Sequence, residues 1–136
     1  MNAAEMYQEI ILDHYRNPRN FGIVKNANLS FRDSNPSCGD IIEITLLTDR
    51  VGIIKEIKFS GKGCAISQAS TSMLTEYLKG KNIKEVKTLK KEEILEMLSI
   101  ELSPIRLKCA LLGLKVIKMA AYNHLGEKLE NENDYT

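Results

Sequence analysis

The chain has 136 residues, a length at which one domain buries most of its apolar surface without disulfides or a structural metal. Its 19 Lys and Arg against 18 Asp and Glu leave a formal charge of +1 with no single-sign block, which argues against nucleic acid as a partner. The longest apolar stretches, IIEITLL and CALLGLKVIKMAAY, fall short of the roughly 20 apolar residues of a membrane span, and the N-terminus has no continuous apolar run, so a cytoplasmic protein with no membrane partner is expected.

Residues 2–15 place Met6, Ile10, Ile11 and His14 at helical spacing behind Asn2 as N-cap, with Pro18 beyond the end; this predicts an amphipathic first helix. RNPRNFG is turn chemistry, and ANLSFRD is a short candidate strand closing at SNPSCG. The β-branched runs DIIEITLLT and GIIKEIKFSG, joined through DRVG, predict an antiparallel hairpin. From GKGC onward the period changes. Ile66, Ala69, Ser70, Met73, Leu74 and Tyr77 mark one face of a second helix beginning near Cys64, and Gly80 supplies the stop. NIKEVKTLKKEEILEMLS predicts two short helices with Ile83, Val86, Leu89, Ile94, Leu95 and Leu98 inward and the charges solvated. The last helix has Ser103 as N-cap, Pro104 at its first position and Gly126 after its last turn, and EKLENENDYT reads as a frayed tail. The expected fold is a single α+β domain over residues 1–136, a small antiparallel sheet of about three strands covered on one face by helices.

Three cysteines, Cys38, Cys64 and Cys109, cannot all pair within one chain, and a reducing compartment keeps them as thiols. None forms a C-x-x-C pair, so spacing alone does not separate a metal site from three buried structural thiols. Their addresses say more: Cys38 is on the turn entering a strand, Cys64 at a strand-to-helix junction, and Cys109 within the first two turns of the last helix. Unsatisfied N–H donors and the positive end of the dipole favour thiolate at a helix start, and Cys64 gains most. Gly39, Gly61 and Gly63 leave the backbone free to approach a bound anion or sulfur. Asp40 reads either as Gly-Asp turn chemistry or as a carboxylate neutralised beside a thiolate by a shared cation. Three thiolates and a carboxylate would suit tetrahedral zinc, or iron with sulfide, with the hard oxygen as the exchangeable corner.

ILDHYRNPRNFG, NPSCGD, GKGCAISQASTSML with KGK following, and SPIRLKCALL occur in the order and at the spacing of the iron–sulfur cluster assembly scaffold family IscU/SufU, and of the NifU N-terminal domain. The resemblance runs from about Tyr7 to Met119. It implies that loops or helix starts gather the cysteines near the surface, with Cys38, Asp40, Cys64 and Cys109 as ligands of a [2Fe-2S] cluster, or of Zn2+ in the cluster-free form. It further implies a pyridoxal-phosphate-dependent cysteine desulfurase and apo iron–sulfur proteins as partners, with Cys109 as persulfide acceptor. LSPIRLK resembles the segment by which IscU engages an Hsp70-type chaperone, although Ser103 and Arg106 replace two of its residues.

Two features divide the branches. The IscU branch has a histidine before the third cysteine, where this chain has Lys108; the SufU branch has a basic residue there, and GCAISQAS is closer to its wording. The segment between the second and third cysteines has the short length of IscU. The resemblance therefore leaves two functions: a scaffold without turnover of its own, or a zinc-bound sulfur acceptor. Lys108 reads as a solvated helix residue or as a partner for Asp40 or an incoming persulfide. His14 reads as a residue bonded within the N-terminal turn, His124 as a cation at a helix C-terminus, and Met73 and Met97 as core fillers.

Overall fold

In the computed structural model, which describes residues 2–36 and 39–124, the first helix α1 (Ala3–Arg16) starts as its sequence requires, with Asn2 Oδ1 accepting from the Glu5 N–H at 2.9 Å. The sheet follows as β1 (Leu29–Asn35), β2 (Asp40–Thr48) and β3 (Ile54–Lys62), all neighbours antiparallel in the order β1-β2-β3. Then come α2 (Ala65–Leu78), two short helices α3 (Ile83–Val86) and α4 (Lys91–Leu98), and the long α5 (Pro104–His124). The α+β class and the three-stranded sheet expected from the sequence are both present.

β2 is the central strand, and its alternation decides what faces the helices. Asp40, Ile42, Ile44 and Leu46 share one face by the two-residue period, and all four are at most 1 % exposed. Asp40 is therefore in phase with the core and turned toward the helices, as its neighbour in register, Asn35 on β1, also is. The hairpin between β2 and β3 has one irregularity, at Leu47/Thr48. On the opposite face the loop after α1 covers Thr45, whose hydroxyl accepts the Val24 N–H at 2.9 Å. α5 lies over β1 and β2, α2 lies over β3, and the two helices pack on each other. A salt bridge of 3.1 Å from Lys115 to Asp33 ties α5 to β1.

The contact between α2 and α5 depends on Gly113. A Cβ there would overlap Thr71 Oγ1 and come within 3.2 Å of Thr71 Cβ, so the missing side chain is what lets the helices approach. Gly113 stands one turn beyond Cys109 and Thr71 two turns beyond Cys64, which draws the starts of the two helices together.

Several expectations need correction. The apolar stripe of α1 is largely exposed: Met6 is 52 % and Ile10 42 % accessible, and Ile11 is its buried residue, because α1 packs on α2 and has no sheet beneath it. Tyr77 is not on the inner face of α2 but 42 % exposed, with Lys81 Nζ 4.6 Å from its ring centre. The rest of α2 is buried nearly all round, being packed by α1, α4, α5 and β3. Leu95 is only half-buried. Ser103 and Pro104 open α5 as expected, with Ser103 accepting from Leu107 at 2.8 Å through its carbonyl and from Arg106 at 3.3 Å through its hydroxyl. Gly126 and the tail after it lie outside the described residues, as does Cys38, which stands between β1 and β2 in the sequence. Among the described residues no helix is long and apolar enough to cross a membrane.

Candidate metal centre

Asp40, Cys64 and Cys109 come from three different elements and converge. Their ligand atoms, one from each residue, all lie within 4.8 Å of one another. Tetrahedral zinc at its usual 2.3 Å from thiolate sulfur needs donors about 3.8 Å apart, so the described trio is within about an ångström of that spacing before any ion draws it in.

Asp40 and Cys64 are bound to each other twice. The Cys64 N–H donates to Asp40 Oδ1 at 3.0 Å, and the Cys64 thiol donates to Asp40 Oδ2 at 3.8 Å. Cys64 is the N-cap of α2, a position where Ser, Thr, Asp or Asn would ordinarily turn a side-chain oxygen onto the helix. Its thiol makes no such cap, and α2 carries no acidic residue in its first turn. Asp40 supplies the acceptor for the Cys64 N–H from the neighbouring strand, so the sulfur is not needed as the cap of α2. Cys64 keeps partial exposure.

Gly63 makes this grip possible. A Cβ at that position would overlap Asp40 Oδ1 and lie 2.6 Å from Ser67 Oγ, so the carboxylate occupies the space a side chain would take. Its use is close approach rather than a left-handed turn.

Cys109 departs from the expectation that all the cysteines sit near the surface: it is 2 % exposed. It lies in the second turn of α5, in phase with Leu112, Gly113 and Val116 on the packed face, whereas Pro104, Ile105 and Arg106 in the first turn are exposed. Lys108 beside it is exposed. Gln68, not singled out from the sequence, is 7 % exposed and lies one turn beyond Cys64 on α2. The signal was a long amide among the small residues of AISQAST.

His14 takes no part in this cluster. Contrary to the expectation of a bond within its own turn, its Nδ1 pairs with Ser72 Oγ on α2 at 2.8 Å, and Ser72 also accepts the Arg19 N–H at 2.9 Å. It lines a separate open cleft with Arg19, Met73, Glu76 and Met97. Burial, aided by the Arg19 charge, holds its pKa below the ordinary 6.5. A depressed histidine favours the neutral folded state, so its contribution is present above pH 6.5 and is lost as pH falls through the folded pKa. Denaturant unfolding between pH 8 and 5 is expected to show stability dropping on acidification, with His14→Gln flattening that slope. His124 is exposed in the last described turn of α5, and Met73 is part of the core, as expected.

The chain matches known proteins over most of its length. The family model described as the NifU-like N terminal domain matches residues 6–131. The iron–sulfur cluster assembly scaffold protein IscU of Haemophilus influenzae is 38 % identical over 122 residues, covering 84 % of this chain and 91 % of its own. The zinc-dependent sulfurtransferase SufU of Bacillus subtilis is 35 % identical over 134 residues, covering 86 % and 90 %. In structure, the chain superposes with a TM-score of 0.75 on a protein of Fervidobacterium islandicum AW-1 described as a cluster assembly scaffold of the SUF system, at 29 % identity and with 88 % and 99 % of the two chains covered. A NifU-like N-terminal domain from Brucella abortus shares the fold at a TM-score of 0.73 and 16 % identity, covering 91 % and 97 %.

Proposed function

This chain belongs to the NifU-like N-terminal domain family, and from that premise we propose that residues 1–136 form a single scaffold domain on which a [2Fe-2S] cluster is built and from which it is handed on. The cluster is cargo. Its sulfur comes as persulfide from a pyridoxal-phosphate-dependent cysteine desulfurase, and its recipients are apo iron–sulfur proteins of the cytoplasm. Cys38, Asp40, Cys64 and Cys109 hold it, and Cys109 is the persulfide acceptor. The observation that carries this reading is the convergence of the Asp40, Cys64 and Cys109 ligand atoms within 4.8 Å on one unlinked set of secondary-structure elements.

The donor set fits the cargo. Thiolates suit iron with sulfide, and Asp40 offers one harder, more exchangeable ligand, which suits a site that must release what it holds. The space kept at Gly63 fits this reading too: it lets the Asp40 carboxylate lie against the Cys64 backbone, beside the thiol. At the start of α5, Ile105 is 60 % exposed within SPIRLK, which supports this segment as the contact for an Hsp70-type chaperone.

A second reading, a zinc-bound acceptor that relieves the desulfurase of its sulfur, is favoured by Lys108 and by the similarity to the Bacillus subtilis protein. One experiment separates them. Anaerobic incubation with ferrous iron, cysteine, a desulfurase and a thiol reductant, which together with the iron supplies the electrons that take persulfide sulfur to sulfide, is expected to give the visible charge-transfer bands of a [2Fe-2S] cluster. Stoichiometric zinc that iron does not displace, with strong stimulation of the desulfurase and no visible bands, would favour the acceptor instead.

A further inference from the structure

We propose that Gln68 is a further positioning group of this site, whose side-chain amide donates from Nε2 to a sulfur atom carried between Cys64 and Cys109. The proposal rests on the reading above, that the site carries sulfur. Gln68 is 7 % exposed, and its Nε2 is cut off from solvent with no hydrogen-bond partner among the described residues. A buried amide left this way costs free energy in the unloaded protein and calls for a physical reason.

The surroundings make Gln68 an exception. α2 buries a run of hydroxyls, and four of them turn back onto its own carbonyls, Ser67 to Cys64, Ser70 and Thr71 to Ser67, and Thr75 to Ser72, at 2.7–3.1 Å, while Ser72 pairs with His14. Gln68 has no such short return path. Its backbone N–H bonds to the Cys64 carbonyl at 3.1 Å, so the two residues stand one above the other on the same helix face. Helical side chains lean toward the N-terminus, and on α2 that is the direction of Cys64. A persulfide or sulfide held by Cys64 and Cys109 would supply the acceptor that the unloaded protein lacks. An N–H donated to such a sulfur stabilises its negative charge, and donors of this kind set both retention and reduction potential.

The test is Gln68→Leu, with Gln68→Met as a second variant in case leucine packs poorly. Thermal unfolding of the metal-free protein and cluster loss to a chelator are measured on the same preparations. Removing an uncompensated amide is expected to raise the melting temperature of the metal-free protein by a few degrees. The same change should speed loss of an anaerobically assembled [2Fe-2S] cluster roughly two- to tenfold and shift its reduction potential to more negative values. A residue that matters only for packing would move both properties in one direction. A lower melting temperature in both variants, or cluster loss and potential equal to the wild type, overturns the proposal. Failure of the wild type to take up any cluster overturns the reading of the site as well.

Discussion

Gly63→Ala is expected to weaken metal retention by roughly ten- to hundredfold, the size of effect seen when a group supporting a ligand is displaced. The added methyl has no room: it overlaps Asp40 Oδ1 and meets Ser67 Oγ, in the first turn of α2, at 2.6 Å. Either the Asp40 carboxylate swings out, or the β3–α2 junction shifts. Both outcomes separate Asp40 from the Cys64 N–H and take one donor off the site. Zinc competition against a chromophoric chelator reads the change directly, while circular dichroism checks that the helices survive. Retention equal to the wild type would mean that Asp40 is not needed where the structure puts it.

Asp40→Ala is expected to act in two ways that a conservative variant pulls apart. In the metal-free protein it removes the acceptor of the Cys64 N–H and the only described carboxylate at the start of α2, which should cost about 0.5–2 kcal/mol, as for loss of an N-cap. In the loaded protein it removes the harder ligand and should slow transfer of the cluster to an apo-protein. Asp40→Asn keeps an acceptor for the N–H but lacks the anionic oxygen. It should therefore restore most of the stability and still release cluster slowly. Denaturant unfolding and transfer kinetics on the two variants decide the matter. If Asn behaves as Ala in stability, the cap is not the reason for the loss; if both release cluster at the wild-type rate, Asp40 is not the exchangeable corner.

The sequence was legible where local chemistry and periodicity coincide. Asn2 and Ser103 cap helices because their side chains can do so in almost any context, and β2 declares its inner face through Ile42, Ile44 and Leu46. The same alternation, extended one step back, places Asp40 on the helix side, and this could have been read from DIIEI alone. The proposed ligand set rests mainly on four motifs that occur together in the sequence, and the structure brings Asp40, Cys64 and Cys109 of it together. Composition and spacing by themselves left the three cysteines as either ligands or buried thiols.

What was not legible depends on how elements pack. The stripe on α1 looks like a core face, yet Met6 and Ile10 are exposed because the helix packs mainly on α2. Cys109 has the same local address as Cys64, but α5 turns it onto the packed face and leaves it 2 % exposed. His14 sits in a turn-rich motif, and nothing local indicates that its partner is Ser72, far along the chain. Gln68 was passed over for the opposite reason: glutamine is an ordinary surface residue of helices, and only the burial of nearly the whole of α2 makes its amide conspicuous.

The central claim is that Cys38, Asp40, Cys64 and Cys109 hold one metal-containing group. X-ray absorption on the protein loaded with one equivalent of zinc tests it most directly. The expected result is a shell of sulfur at about 2.3 Å from the cysteines, completed by a single oxygen at about 2.0–2.2 Å that disappears in Asp40→Ala. A shell with no more than one sulfur, or one that Asp40→Ala leaves unchanged, would contradict it.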